Sequence, residues 1–214
     1  MKIAEPNGDG PGFSYVTKPD SLCLQLQGGV AWFVHDRLVR KATGLILEPH
    51  REYLLHQVGD AGRGNVILMA ASGYGELVLG GSNLVGFYLR PGDSVLVAGS
   101  TLLGGSGRVN IAAHRIAGVS SESAPRRETK VFRLYVPHDS SGSGMVWGWS
   151  RGVVQHTTLE VGERWQMAPR ALVAADDTIK LGIYPYVRAG LEGVEQPTYL
   201  WDVEGSGEVL WQAL

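Results

Sequence analysis

The stretch Leu89-Arg-Pro-Gly-Asp-Ser-Val-Leu-Val-Ala-Gly-Ser-Thr-Leu-Leu103 carries a pattern that two other parts of the chain repeat. With Gly92 as origin, apolar residues lie three before it (Leu89) and three, five and ten after it (Val95, Val97, Leu102). Around Gly162 the same offsets give Leu159, Trp165, Met167 and Leu172; around Gly29 they give Leu26, Trp32, Val34 and Val39. A short alternating run follows 16 or 17 residues after each origin: Leu45 and Leu47, Val109 and Ile111, Ile179 and Leu181. A Gly-x-Gly then closes each copy, at Gly73/Gly75, Gly142/Gly144 and Gly205/Gly207. The chain reads as one unit used three times, over about 22–82, 84–150 and 153–214.

The origins are 63 and 70 residues apart, too close for a separate sandwich in each unit. Two or three hairpins cannot bury both of their faces alone, so the copies must share a core. The expectation is all-β: a single domain of three tandem β-repeats with pseudo-threefold symmetry over 15–214, behind a flexible lead-in at 1–14. Leu22, Leu24 and Leu26 take one face of the first strand. Gly28-Gly29 reads as a turn from which Val30 to Val34 returns as the partner strand. Each Gly-x-Gly reads as a hairpin turn, because glycine reaches positive φ without steric cost. Glu52 to Gln57 is read as a further strand, and Ser120 to Lys130 and Ala189 to Pro197 as irregular loops. No window of twelve residues repeats with a period of 3.6, so helix should be scarce.

Composition narrows the function classes. Nineteen Lys and Arg against 21 Asp and Glu leave a formal charge of −2, which supplies no field to recruit nucleic acid or an anionic membrane. The densest basic run, Arg126-Arg-Glu-Thr-Lys130, is balanced by Glu122 and Glu128 and reads as a solvated loop. The one cysteine, Cys23, lies in an alternating apolar run and reads as a buried structural thiol in a reducing compartment. The N-terminus lacks an apolar signal core, and no window approaches the roughly 20 apolar residues of a spanning helix. The expected location is cytoplasmic, with no membrane span. Thirty glycines punctuate the apolar runs, as many short strands joined by tight turns require.

Chemistry-bearing motifs are few. The histidines His35, His50, His56, His114, His138 and His156 show no His-x-His or His-Glu-x-x-His spacing; His50 and His56 would stand about 20 Å apart on a strand. The turn Leu89-Arg-Pro-Gly-Asp resembles one in the cupins, but Leu102-Leu103 and Leu172-Val173 occupy the places where a metal-binding histidine would follow. Gly104-Gly-Ser-Gly107 and the Gly-x-Gly pairs precede strands, not the helix a phosphate cradle needs. Ser140-Ser-Gly-Ser-Gly-Met lacks the strand-elbow-helix context of a hydrolase nucleophile. No catalytic residue, cofactor site or metal site is assigned. Trp32 and Trp165 read as core. Trp147, Trp149 and Trp211 cluster beside glycine-rich turns and are the candidate binding residues, for a sugar or a peptide.

The runs Gly62-Arg-Gly-Asn-Val-Ile-Leu, Gly73-Tyr-Gly-Glu-Leu, Leu89-Arg-Pro-Gly-Asp-Ser-Val-Leu-Val and Gly205-Ser-Gly-Glu-Val-Leu resemble the altered inheritance of mitochondria family. Its domain is classed as similar to the tryptophan RNA-binding attenuation protein (TRAP-like). The resemblance implies a barrel or sandwich of double-stranded β-helix type that associates into homo-oligomers. Bacterial members are largely of unknown function, and the mitochondrial ones resemble scaffolding factors for inner-membrane organisation. The attenuation protein's tryptophan and RNA sites find no matching residues here. The sequence therefore points to a non-enzymatic binding or scaffolding protein, a homo-oligomer with a possible protein partner and no nucleic acid. The alternatives are a cupin-like small-molecule enzyme and a carbohydrate-binding module that uses the tryptophans.

Overall fold

The computed structural model describes residues 2–50, 66–114, 116, 130–168, 170–189 and 195–213. Its first segment holds β1 (Asn7–Gly10), β2 (Phe13–Thr17), β3 (Ser21–Val34), β4 (Leu38–Lys41), β5 (Leu45–Pro49) and β6 (Leu68–Gly80). The second holds β7 (Val85–Leu89), β8 (Ser94–Ala98), β9 (Leu102–Ser106), β10 (Asn110–Ala113), β11 (Val131–Tyr135) and β12 (Gly144–Gly148). The third holds β13 (Val154–Leu159), β14 (Arg164–Met167), β15 (Leu172–Asp176), β16 (Lys180–Ala189), β17 (Glu195–Glu204) and β18 (Gly207–Gln212). Among the described residues the helical content is one 3-10 turn, His35–Arg37.

Pairing is antiparallel throughout and follows one scheme. In the second segment β12 lies between β7 and β9, while β11 lies between β8 and β10. In the third, β18 lies between β13 and β15, and β17 between β14 and β16. The first segment does the same with two long strands. The Tyr74–Gly80 part of β6 lies between the Ser21–Gln27 part of β3 and β4, and the Leu68–Ser72 part lies between Val30–Val34 of β3 and β5. Consecutive segments are joined by two further pairings, β3 with β9 and β8 with β15.

The outcome is a stack of four layers. The inner two are six strands wide, and each takes three strands from one segment and three from the next: β7-β12-β9 continues into β3-β6-β5, and β13-β18-β15 into β8-β11-β10. The outer two each hold three strands of one segment: the first part of β3, the second part of β6 and β4 in one, widened to five strands by β1 and β2, and β14-β17-β16 in the other. Alternation along each strand sends side chains to both neighbouring layers. Leu22, Leu24, Leu77 and Leu79 of the first layer therefore meet Phe33, Ala71, Leu103 and Trp147 of the second. Trp32, Phe87, Leu102 and Val146 of the second meet Val97, Leu134 and Leu210 of the third. Leu96, Leu159 and Val209 of the third meet Leu181, Trp201 and Val203 of the fourth.

Several expectations are corrected. Gly28-Gly29 is no hairpin turn: β3 runs through it as one strand with a bulge between Gln27 and Val30. Gly28, at φ +84°, takes the place of Gly92 and Gly162, both at φ +89°. Leu26, Leu89 and Leu159 still align, facing Gly75, Gly144 and Gly207. The first segment is thus one residue shorter at this corner, and every later match shifts by one. Trp32 corresponds to Leu96, both facing the next segment's β9 or β15, and not to Trp165. Counted from Gly28, the next run starts 17 residues on in all three segments, at Leu45, Val109 and Ile179. Each start is marked by the same turn, in which its N–H donates to the carbonyl of Ala42 (3.2 Å), Ser106 (3.1 Å) or Asp176 (3.1 Å).

Two of the Gly-x-Gly sites are corners too, whereas Gly142-Ser-Gly ends the longer connection between β11 and β12 with neither glycine at positive φ. β6 passes through Gly73-Tyr-Gly without a break, and β17 and β18 on either side of Gly205-Ser-Gly lie in different layers. The lead-in expected at 1–14 contains β1, paired with β2, and residues 189 and 195–197 belong to strands. The strand expected at Glu52 to Gln57 lies outside the described residues, as does most of the loop Ser120 to Lys130.

Candidate interaction surface

The three tryptophans proposed for binding do not form a platform. Trp147 is 1% exposed. Its ring meets Phe13 edge-on at 5.9 Å between centroids and Tyr15 at 5.5 Å. The face that alternation assigns to Trp147 is covered by β2, whose start, Phe13, belongs to the stretch read as a lead-in, so the Trp147 ring offers no face to a sugar. Trp149, half-buried, lies under the Arg37 guanidinium, 3.8 Å from its ring centre. Trp211 is half-buried in the third layer, where its indole N–H donates to Thr157 Oγ1 at 3.2 Å. Of the two core tryptophans, Trp32 is buried and donates to the Val109 carbonyl at 3.2 Å. Trp165 is half-buried against the last core cluster.

Among the described residues no group of three or more His, Cys, Asp or Glu side chains is placed to hold a metal ion. The polar groups that do converge are structural. Gln212 Oε1 accepts from the backbone N–H of Arg151 (2.6 Å) and Gly152 (3.1 Å), while its Nε2 donates to the Arg170 carbonyl. Thr101 donates to the Ala98 and Val173 carbonyls. They surround a cavity of only about 30 Å³, the space of a single water. A wider groove of about 320 Å³ lies open between residues Ile3 to Pro6 and β13, with His156 on its rim. That imidazole already faces Glu208, at 3.3 Å.

The unusual surface is at the two ends of the stack. The strands equivalent to β4 are β9 and β15, and those equivalent to β14 are the second part of β3 and β8; these are the strands that join consecutive segments. Among the described residues nothing pairs with the outer edge of β4 or of β14. The equivalence extends to detail. β4, β9 and β15 each carry one bulged residue against the closing strand, at Val39, Leu103 and Val173. Leu103 and Val173 are 0% exposed, whereas Val39 is 67% exposed. Beside β14 the pattern is similar: Val95, Val97, Ala31 and Phe33 are fully buried, but their counterparts Trp165 and Met167 are half-buried. Arg40 pairs with Glu76 and Arg164 makes a two-pronged pair with Asp202, whereas the Lys41 ammonium donates to the Leu45 carbonyl.

No family model and no curated protein matches the chain. Among solved structures, a Streptococcus pyogenes protein determined by X-ray crystallography as a structural genomics target matches it at 17% identity, with a TM-score of 0.63 over all of this chain and 94% of that one. The likeness is one of fold.

Proposed function

We propose that this chain is a non-enzymatic, self-associating β-protein that acts by binding or scaffolding, built from three equivalent units and related to the TRAP-like altered inheritance of mitochondria family. The observation that carries the reading is the pair of end layers, whose edges β4 and β14, unpaired among the described residues, are matching halves of a junction the chain makes twice within itself. Unpaired edges of this kind invite pairing with another chain. The balanced charge and the lone cysteine accord with a cytoplasmic setting, and no described helix is long and apolar enough to cross a membrane.

Sedimentation velocity over a hundredfold range of concentration tests the reading. Species of two or more chains that grow with concentration or persist on dilution support it. A monomer at every concentration refutes it.

A further inference from the structure

We propose that β14 of one copy pairs antiparallel with β4 of the next, Met167 opposite Arg40, Gln166 opposite Lys41 and Trp165 opposite Ala42. This rests on the self-association proposed above and specifies its partner, a second copy of the chain, and its register.

The register follows from the internal junctions. There Phe33 faces Gly104, Trp32 faces Gly105 and Ala31 faces Ser106; one segment later Val97 faces Ala174, Leu96 faces Ala175 and Val95 faces Asp176. The bulges align Leu38 with Leu102 and Leu172, and Arg40 with Gly104 and Ala174. The positive-φ corners Gly92 and Gly162 align Val97 with Met167. Carrying both alignments to the chain's two ends gives one register. The joined end layers would form a sheet in the order β3-β6-β4-β14-β17-β16, the order of both inner sheets. Such contact is heterologous: the same step that relates one segment to the next relates one copy to the next, closing into a ring if the rotation permits and otherwise continuing as a fibre.

The end junction differs from the internal ones in polarity. Gly104 and Gly105, which leave no room for side chains beside Trp32 and Phe33, are replaced at β4 by Arg40 and Lys41. Trp32 and Leu96 are replaced at β14 by Gln166. Charged residues on an edge strand oppose indiscriminate pairing, while uncharged Met167 and Gln166 opposite them avoid like-charge contact. The end junction is therefore built to form reversibly, and the internal ones permanently.

Cysteine cross-linking tests the register. Directly opposed residues of an antiparallel pair bring their Cα atoms within about 4.5–5.5 Å, inside disulfide reach. In a Cys23→Ser background, Lys41→Cys and Gln166→Cys proteins are mixed under mild oxidation. The expected result is a covalent dimer containing one of each, at least tenfold above either protein alone, and a ladder of oligomers from the chain carrying both substitutions. A Lys41→Cys and Val153→Cys mixture, with the second cysteine exposed just before β13, serves as the control for random collision. Sedimenting oligomers with no excess of the 41–166 product would overturn the register while leaving self-association intact. A monomer at all concentrations would remove both.

Discussion

Replacing Gly105 with alanine would drive a methyl group into the Trp32 indole. A Cβ built there lies 2.7 Å from Trp32 Cε2, closer still to Cζ2, and 3.0 Å from the Met145 carbonyl oxygen. Neither neighbour is a free side-chain end: Trp32 is buried and tied to Val109. Overpacking of this kind costs about 1–3 kcal/mol. At the equivalent junction one segment later the opposed pair is Leu96 and Ala175, so an alanine is accommodated where the facing side chain is leucine. Trp32→Leu alone should cost about 2–4 kcal/mol, from the vacated volume and the lost hydrogen bond. The double variant copies a pair the protein already uses, and should be more stable than the sum of the two losses by about 1–2 kcal/mol, within the usual range for contacting residues. Urea unfolding of the four proteins at matched concentration measures the coupling from the midpoints, given a common slope. Strict additivity, or a harmless Gly105→Ala, would refute the equivalence of the two junctions.

Three further outcomes are expected. Trp147→Phe should cost less than Trp32→Phe by about 1 kcal/mol, because the buried Trp147 N–H has no partner among the described residues whereas that of Trp32 is bonded; thermal melts compare them. Asp176 Oδ2 accepts from the Glu208 N–H at 2.7 Å, and Ser106 Oγ from the Met145 N–H at 3.0 Å. Asp176→Ala should therefore cost about 1–2 kcal/mol and Asp176→Ser appreciably less, by denaturant midpoint. The His114 imidazole is held below its ordinary range by burial and then by the Arg133 guanidinium. The unfolded chain thus takes up the proton first as pH falls, so stability is full above about pH 6.5 and declines as pH drops through that value toward the lower folded one. His114→Gln should flatten the difference in urea midpoint between about pH 7.5 and 5.5.

The alternating leucines of β3 and the glycine corners were legible because a strand's period of two and a backbone at positive φ both leave local marks. The doublet Gly28-Gly29 was not, since either glycine can serve as the corner, and one residue's slip turns every later side chain to the opposite face. That slip is what matched Trp32 to Trp165. The Gly-x-Gly pairs were read as hairpin turns, because glycine marks positive φ alike where a strand doubles back and where it crosses into the next layer. Trp147 was read as a binding residue beside a glycine-rich turn, and what buries it lies at Phe13 and Tyr15, too remote in the chain for any local pattern to show. The end edges became visible only once β4 and β14 could be compared with their paired counterparts.

The shared inner sheets also decide where such a chain can be lengthened or shortened. A cut between segments, near residue 83 or 152, leaves two halves of a sheet on different molecules, each with an apolar flank and a row of unmet amides. A splice between matching corners, such as Gly92 and Gly162, removes a whole period and returns every remaining strand to a neighbour of the right kind. A cut at a segment boundary thus divides a sheet, whereas removal of a whole period does not.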